Sequence, residues 1–125
     1  MMRLEEKLHI AICDYLKLQY PDILFISEPS GVRVSIGLAF KLKKMRSAHT
    51  HLDLYILEPR QGYHGLIIEL KAVNIYKENG DLRGDKHLQD QKETIEKLRK
   101  RGYKSTFAVG FDQAKEVIDN YLNSK

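Results

Sequence analysis

The stretch HTHLDLYILEPRQGYHGLIIELKA, residues 49–72, decides how this chain is read. It holds two apolar runs, LDLYIL (52–57) and the start of LIIELKAV (66–73). Between them EPRQGYHG supplies Pro59, Gly62 and Gly65 as breakers, so the two runs form a β-hairpin. Period-two alternation turns Leu66, Ile68 and Leu70 to one face and Glu69 and Lys71 to the other. Asp53 lies on the partner strand, where the hairpin can bring it near Glu69. The plainer reading of Glu69 and Lys71 is a surface ion pair on a half-exposed sheet.

Working outward, Leu4, Leu8, Ala11, Ile12, Tyr15 and Leu16 recur at helical spacing and predict a helix over about residues 3–18, stopped before Pro21. ILFIS (23–27) reads as a short buried strand. Leu38, Leu42 and Met45 predict a short helix around 36–46 with lysines on its other face. Beyond the hairpin, KENGDLRG (77–84) is a loop. Leu88, Ile95 and Leu98 mark a long helix ending at Gly102, and STFAVG (105–110) is a strand. Asp112 is the expected cap of a final helix whose inner face is Val117, Ile118, Tyr121 and Leu122. The order α-β-(α)-β-β-α-β-α describes a single α/β domain over 1–125, with helices on the faces of a mixed sheet.

Composition agrees with one ordinary core. Of 125 residues, 42% are apolar, and no run approaches the length of a membrane helix. The first residues, MMRLEEKLHI, lack the apolar run of a signal peptide, and the single cysteine, Cys13, excludes an internal disulfide framework. These features suit the cytoplasm, of a bacterium or a phage-infected host. The net charge of +4 is modest, but its distribution is not even. Lys41, Lys43, Lys44 and Arg46 form one cluster, and Lys97, Arg99, Lys100, Arg101 and Lys104 form another. Either alone reads as a solvated helix face. Two of them flanking an acidic site point to nucleic acid, with Arg33, Lys41, Lys43 and Lys44 as candidate phosphate contacts.

Two carboxylates on adjacent strands repel each other unless a cation lies between them. Mg2+ suits such a site because it takes oxygen ligands and keeps several waters; Mn2+ is expected to substitute. Asp53 and Glu69 are the candidate ligands, with the Leu70 backbone carbonyl as a further oxygen. Lys71 would hold a positive charge where an attacking water and a phosphate gather negative charge, which is the chemistry of phosphodiester hydrolysis. Glu5 falls on the edge of the first helix's apolar stripe and could reach the sheet as a third carboxylate; the plainer reading is an exposed glutamate favoured by the helix dipole. Gln91 lies within the apolar stripe of Leu88, Ile95 and Leu98. A buried glutamine there either bonds to backbone or orients Lys71 or a water.

A rival site shares Asp53. His49, His51 and Asp53 form H-x-H-x-D, which resembles the first metal motif of the metallo-β-lactamase fold. That motif continues with a histidine where this chain has Leu54, and His9, His64 and His87 are scattered. A zinc hydrolase needs about three protein ligands around an open position.

Taken together, LEEKLHIAICDYLKLQYP, PSGVR (29–33), LDL (52–54), YHGLIIELK, HLQDQKETIEKLRKRGY and GFDQAKEVIDNYL resemble the VRR-NUC branch of the PD-(D/E)XK nuclease superfamily, above all its small stand-alone phage-type members. The resemblance spans nearly the whole chain. It implies a restriction-endonuclease-like core with a central mixed four-stranded sheet. It places metal ligands on Asp53 and Glu69, the catalytic lysine on Lys71, the helix glutamate on Glu5 with Glu6 as the adjacent alternative, and the motif glutamine on Gln91. It also implies a Mg2+-dependent DNA endonuclease acting as a homodimer on Holliday junctions or other branched DNA. A two-fold dimer would present paired sites to a two-fold substrate. The chain departs from the family's Gly-x-Pro-Asp-Leu, having Thr50-His51-Leu52-Asp53-Leu54. A catalytically weak or inactive DNA-binding module on the same fold is the alternative from a different class.

Overall fold

The structure, a computed structural model, describes residues 2–28 and 34–124. Its elements run α1 (Leu4–Gln19), β1 (Phe25–Ser27), α2 (Ile36–Met45), β2 (Leu54–Ile56), β3 (Leu66–Lys71), α3 (Lys86–Lys100), β4 (Lys104–Val109) and α4 (Gly110–Leu122). This is the order that the hydrophobic periodicities predict. The sheet order is β1-β2-β3-β4. The first three strands are antiparallel and β4 joins β3 in parallel, so the sheet is mixed. A parallel neighbour requires a crossover, and α3 is that crossover.

All six residues of β3 are buried, so it is covered on both faces. On one face Leu66, Ile68 and Leu70 join Leu54, Ile56, Leu8, Ile12 and Leu16 of α1, and Ile118 and Tyr121 of α4. On the other, Ile67 packs with Leu52, Ile95 of α3, Tyr55, Leu98 and Phe107. Each large aliphatic side chain removed from water stabilises the fold by about 1.5–3 kcal/mol. This double cover fixes register, because a one-residue slip would exchange Glu69 and Lys71 of β3 with its leucines.

The β2–β3 turn is tighter than its composition suggests. Gln61 and Gly62 both have positive φ, at 55° and 83°. Gly65 lies against β2 so closely that a Cβ would stand 2.8 Å from the Ile56 carbonyl oxygen. Tyr121 reaches into this turn from α4, donating to the Glu58 carbonyl at 2.6 Å and accepting from the Arg60 N–H at 3.1 Å. His64 is exposed, makes an edge-on contact with Tyr103 at 5.5 Å and sits over Gly102.

Three expectations need correction. β1 is three residues long and lies at the sheet edge, with Ile26 54% exposed, so the run 23–27 is not a buried strand. Its one strand neighbour is β2. α2 forms, capped by the Ser35 hydroxyl accepting from Leu38 N–H at 3.1 Å, but it buries no residue; Met45 is 78% exposed. Its apolar spacing therefore marks no inward face. Asp112 does not cap α4, which begins at Gly110; the Gln113 side chain accepts the Val109 N–H at 2.6 Å instead. Gln113 lies one turn in, where a side chain can fold back on the first free N–H groups. No helix among the described residues is long and apolar enough to cross a membrane.

Candidate active site

The pairing Leu54↔Ile68, extended by one residue, sets Asp53 opposite Glu69. Asp53 Oδ2 accepts the Leu70 N–H at 2.9 Å, which ties the carboxylate to the end of β3. The N–H and C=O of one strand residue project to the same side, so the Leu70 carbonyl also faces the Asp53 side and not β4. Asp53, Glu69, Lys71 and Gln91 are all buried, which removes the half-exposed surface ion pair as an account of them.

Glu69 is the centre of this group. Its Oε2 accepts from Gln91 Nε2 at 2.9 Å and lies 3.4 Å from Lys71 Nζ. Its Oε1 is buried and has no hydrogen-bond donor. Burial, and then the neighbouring Asp53 charge, push the Glu69 carboxyl up to about 9 against the opposing pull of Lys71. Gln91 bonds to a side chain, not to backbone, and its amide also donates to His87 Nε2 at 3.1 Å.

The other site residues divide. Glu5 has the azimuth that its sequence spacing gives it, but it is exposed and forms no hydrogen bond or ion pair. It sits in the turn before Leu8, the first buried residue of α1, and so falls short of the covered part of the sheet. Glu6 is half-buried and lines a separate groove with His9, Cys13 and Ser27. His9, buried on α1, shares a 2.5 Å hydrogen bond with Ser27. Among the described residues no three His, Cys, Asp or Glu side chains are gathered as a metal would require, so neither a third carboxylate nor the His49–His51–Asp53 set is assembled.

Of the basic candidates, Lys41, Lys43 and Lys44 are exposed on α2, with the Lys44 ammonium 4.6 Å from the Phe40 ring centre. Arg33 lies outside the described residues. In the second cluster Arg99 donates to the Ser105 carbonyl at 2.9 Å and Lys97 pairs with Glu93 at 3.4 Å, so it is partly engaged in holding α3 and β4.

Sequence reasoning missed Glu28. The pairing Ser27↔Leu54, extended by one residue, sets it opposite Asp53, and its N–H donates to the Asp53 carbonyl at 2.7 Å. Arg46, just past α2, holds its carboxylate at 2.6 Å. No local signal marks this residue, because its neighbour is 25 positions away and the β1–β2 connection is not a short turn.

A divalent cation fits the acid pair on its own chemistry. Two carboxylates lie within hydrogen-bond reach of each other, one with an orphaned buried oxygen, and they hold the charge of one more cheaply than of both. The small number of protein oxygens suits a metal that keeps water ligands.

No protein-family model and no curated protein matches the chain. Its structure is similar to a solved one described as a "VRR_NUC domain protein", with a TM-score of 0.67 and 27% sequence identity, over 98% of this chain and 91% of that one.

Proposed function

We propose that this chain, which belongs to the VRR-NUC branch of the PD-(D/E)XK nucleases, is a metal-dependent DNA endonuclease that hydrolyses phosphodiester bonds. The observation that carries the reading is the buried Asp53–Glu69 pair with Lys71 3.4 Å from Glu69. Burying two acids and an amine costs several kcal/mol that packing alone does not return. A site that needs a cation and a strong electrostatic field accounts for their retention.

Asp53, Glu69 and the Leu70 carbonyl would hold Mg2+, with Mn2+ as a substitute. Bound there, the ion would offset the carboxylate repulsion and draw negative charge from a phosphodiester. Gln91 fixes the Glu69 carboxylate by donating to Oε2, and His87 in turn accepts from Gln91. Lys71 places its ammonium where an attacking water and a phosphoryl oxygen gather charge. Arg33, Lys41, Lys43 and Lys44 would contact the DNA backbone, positioning it without reading bases. The family resemblance favours branched DNA and a homodimer with one site per protomer.

The second reading is a DNA-binding module that has lost hydrolysis; the departure from Gly-x-Pro before Asp53 is what favours it. Incubation of labelled four-way junction and linear duplex with Mg2+ or Mn2+ separates the two. The nuclease reading expects cleavage that Lys71→Ala abolishes while DNA binding persists. Binding with no cleavage in either metal establishes the module. Light scattering of the free protein tests the dimer.

A further inference from the structure

We propose that a groove beside the acid pair receives one unstacked nucleotide of the DNA strand. This rests on the nuclease reading and gives it a physical basis for choosing branched or otherwise unpaired substrates. The groove, about 410 Å3, runs between the segment before β2 and the outer side of α3. His49 and His51, which the hydrolysis leaves without a task, stand on one wall; Thr94, Lys97 and Arg101 stand on the other, with Tyr55 and Leu98 as the apolar part of the lining.

Its position and chemistry both suit such an occupant. Thr94 follows Gln91 by one helical turn, and Asp53 follows His51 by two residues, so the groove opens next to the acids. The Tyr55 ring is pinned by the Leu52 N–H donating to its hydroxyl at 3.1 Å, and the wall is closed by Thr94 Oγ1 donating to the Thr50 carbonyl at 2.7 Å. None of the lining residues is acidic, although Asp90, Glu93 and the catalytic acids lie close by. The flat face of a base fits against Tyr55 and Leu98, where aromatic and base faces attract regardless of sequence. Lys97 in the last turn of α3 and Arg101 just past its end, both in the lining, suit the attached phosphate. The Lys97–Glu93 pair is exposed on both sides and is readily exchanged for a phosphate contact. A base inside a paired duplex cannot enter without leaving its stack, so the groove fills at flaps, bulges and junction centres.

The test uses the whole protein without divalent metal and fluorescence anisotropy on three labelled DNAs: a duplex with a one-nucleotide bulge, the same bulge made abasic, and the fully paired duplex. The wild type is expected to bind the bulge at least about five-fold more tightly than its abasic form. Ser47→Tyr, at the exposed rim, fills the groove without touching the core; it should erase that preference and leave duplex affinity unchanged. Equal binding of base and abasic bulge overturns the proposal, as does a preference that survives Ser47→Tyr in a protein with an unchanged melting curve. Cleavage of a four-way junction and of the bulged duplex in Mg2+ or Mn2+ keeps the two readings apart. Cleavage without base preference overturns the groove alone, whereas base preference without cleavage supports the groove and overturns the nuclease.

Discussion

Replacing lysines of α2 isolates their share of DNA binding, because the helix buries no residue and nothing in the core depends on it. Lys41 and Lys44, at i and i+3, lie about 60° apart around the axis, whereas Lys43 points about 100° from Lys44. One strand of DNA can therefore meet Lys41 and Lys44 together but not all three at full strength. Each phosphate contact adds about 0.9 to the slope of log affinity against log salt, so Lys41→Ala with Lys44→Ala should lower that slope by about 1.8. Between 50 and 200 mM salt, a four-fold range, the double variant should lose about 12-fold less affinity than the wild type. Adding Lys43→Ala should change the slope by less than one further unit. Anisotropy titrations in EDTA with a labelled duplex measure this, and the melting temperature should stay nearly constant because surface substitutions of this kind change stability by about 0.5 kcal/mol or less. An unchanged slope would show that α2 does not face the DNA, and would remove it from the proposed interface.

Three other outcomes follow from the structure. Asp53→Asn should abolish Mn2+ binding measured by calorimetry, while Glu5→Gln should leave the affinity within about two-fold, since Glu5 is exposed and outside the acid group; a large loss in Glu5→Gln would mean that α1 moves inward when metal binds. Tyr121→Phe orphans the Arg60 N–H and removes the donor to Glu58, costing about 1–3 kcal/mol. For 125 residues that is about 4 °C of melting temperature per kcal/mol, read by thermal unfolding. Asp119 accepts from Tyr15, Tyr20 and Lys115; partial burial opposes its charge, but these bonds prevail and hold its carboxyl below the ordinary range. Its folded value is depressed, so its contribution is present above the unfolded carboxyl pKa of about 3.9 and disappears as pH falls through the folded value. Urea unfolding between about pH 5 and pH 3 should show a steeper acid loss in the wild type than in Asp119→Asn.

The main elements and the placement of the four buried candidate residues were legible in the chain because they obey local rules. Period two along 66–71 separates Glu69 and Lys71 from the leucines beside them, and helical period places Gln91 among apolar neighbours. Tertiary structure decided what those side chains meet. Local spacing gives a direction around an axis but not how far a neighbouring sheet extends, so it aimed Glu5 correctly and could not reveal that the first turn of α1 remains uncovered. It gave α2 an apolar face and could not show that the helix buries none of its residues. It could not pair β1 with β2, and so Glu28 beside Asp53 and its bond to Arg46 remained hidden. The burial that pushes the Glu69 carboxyl up to about 9 is likewise collective: it arises from α3, β2 and β4 closing around one strand, a property of no segment taken alone.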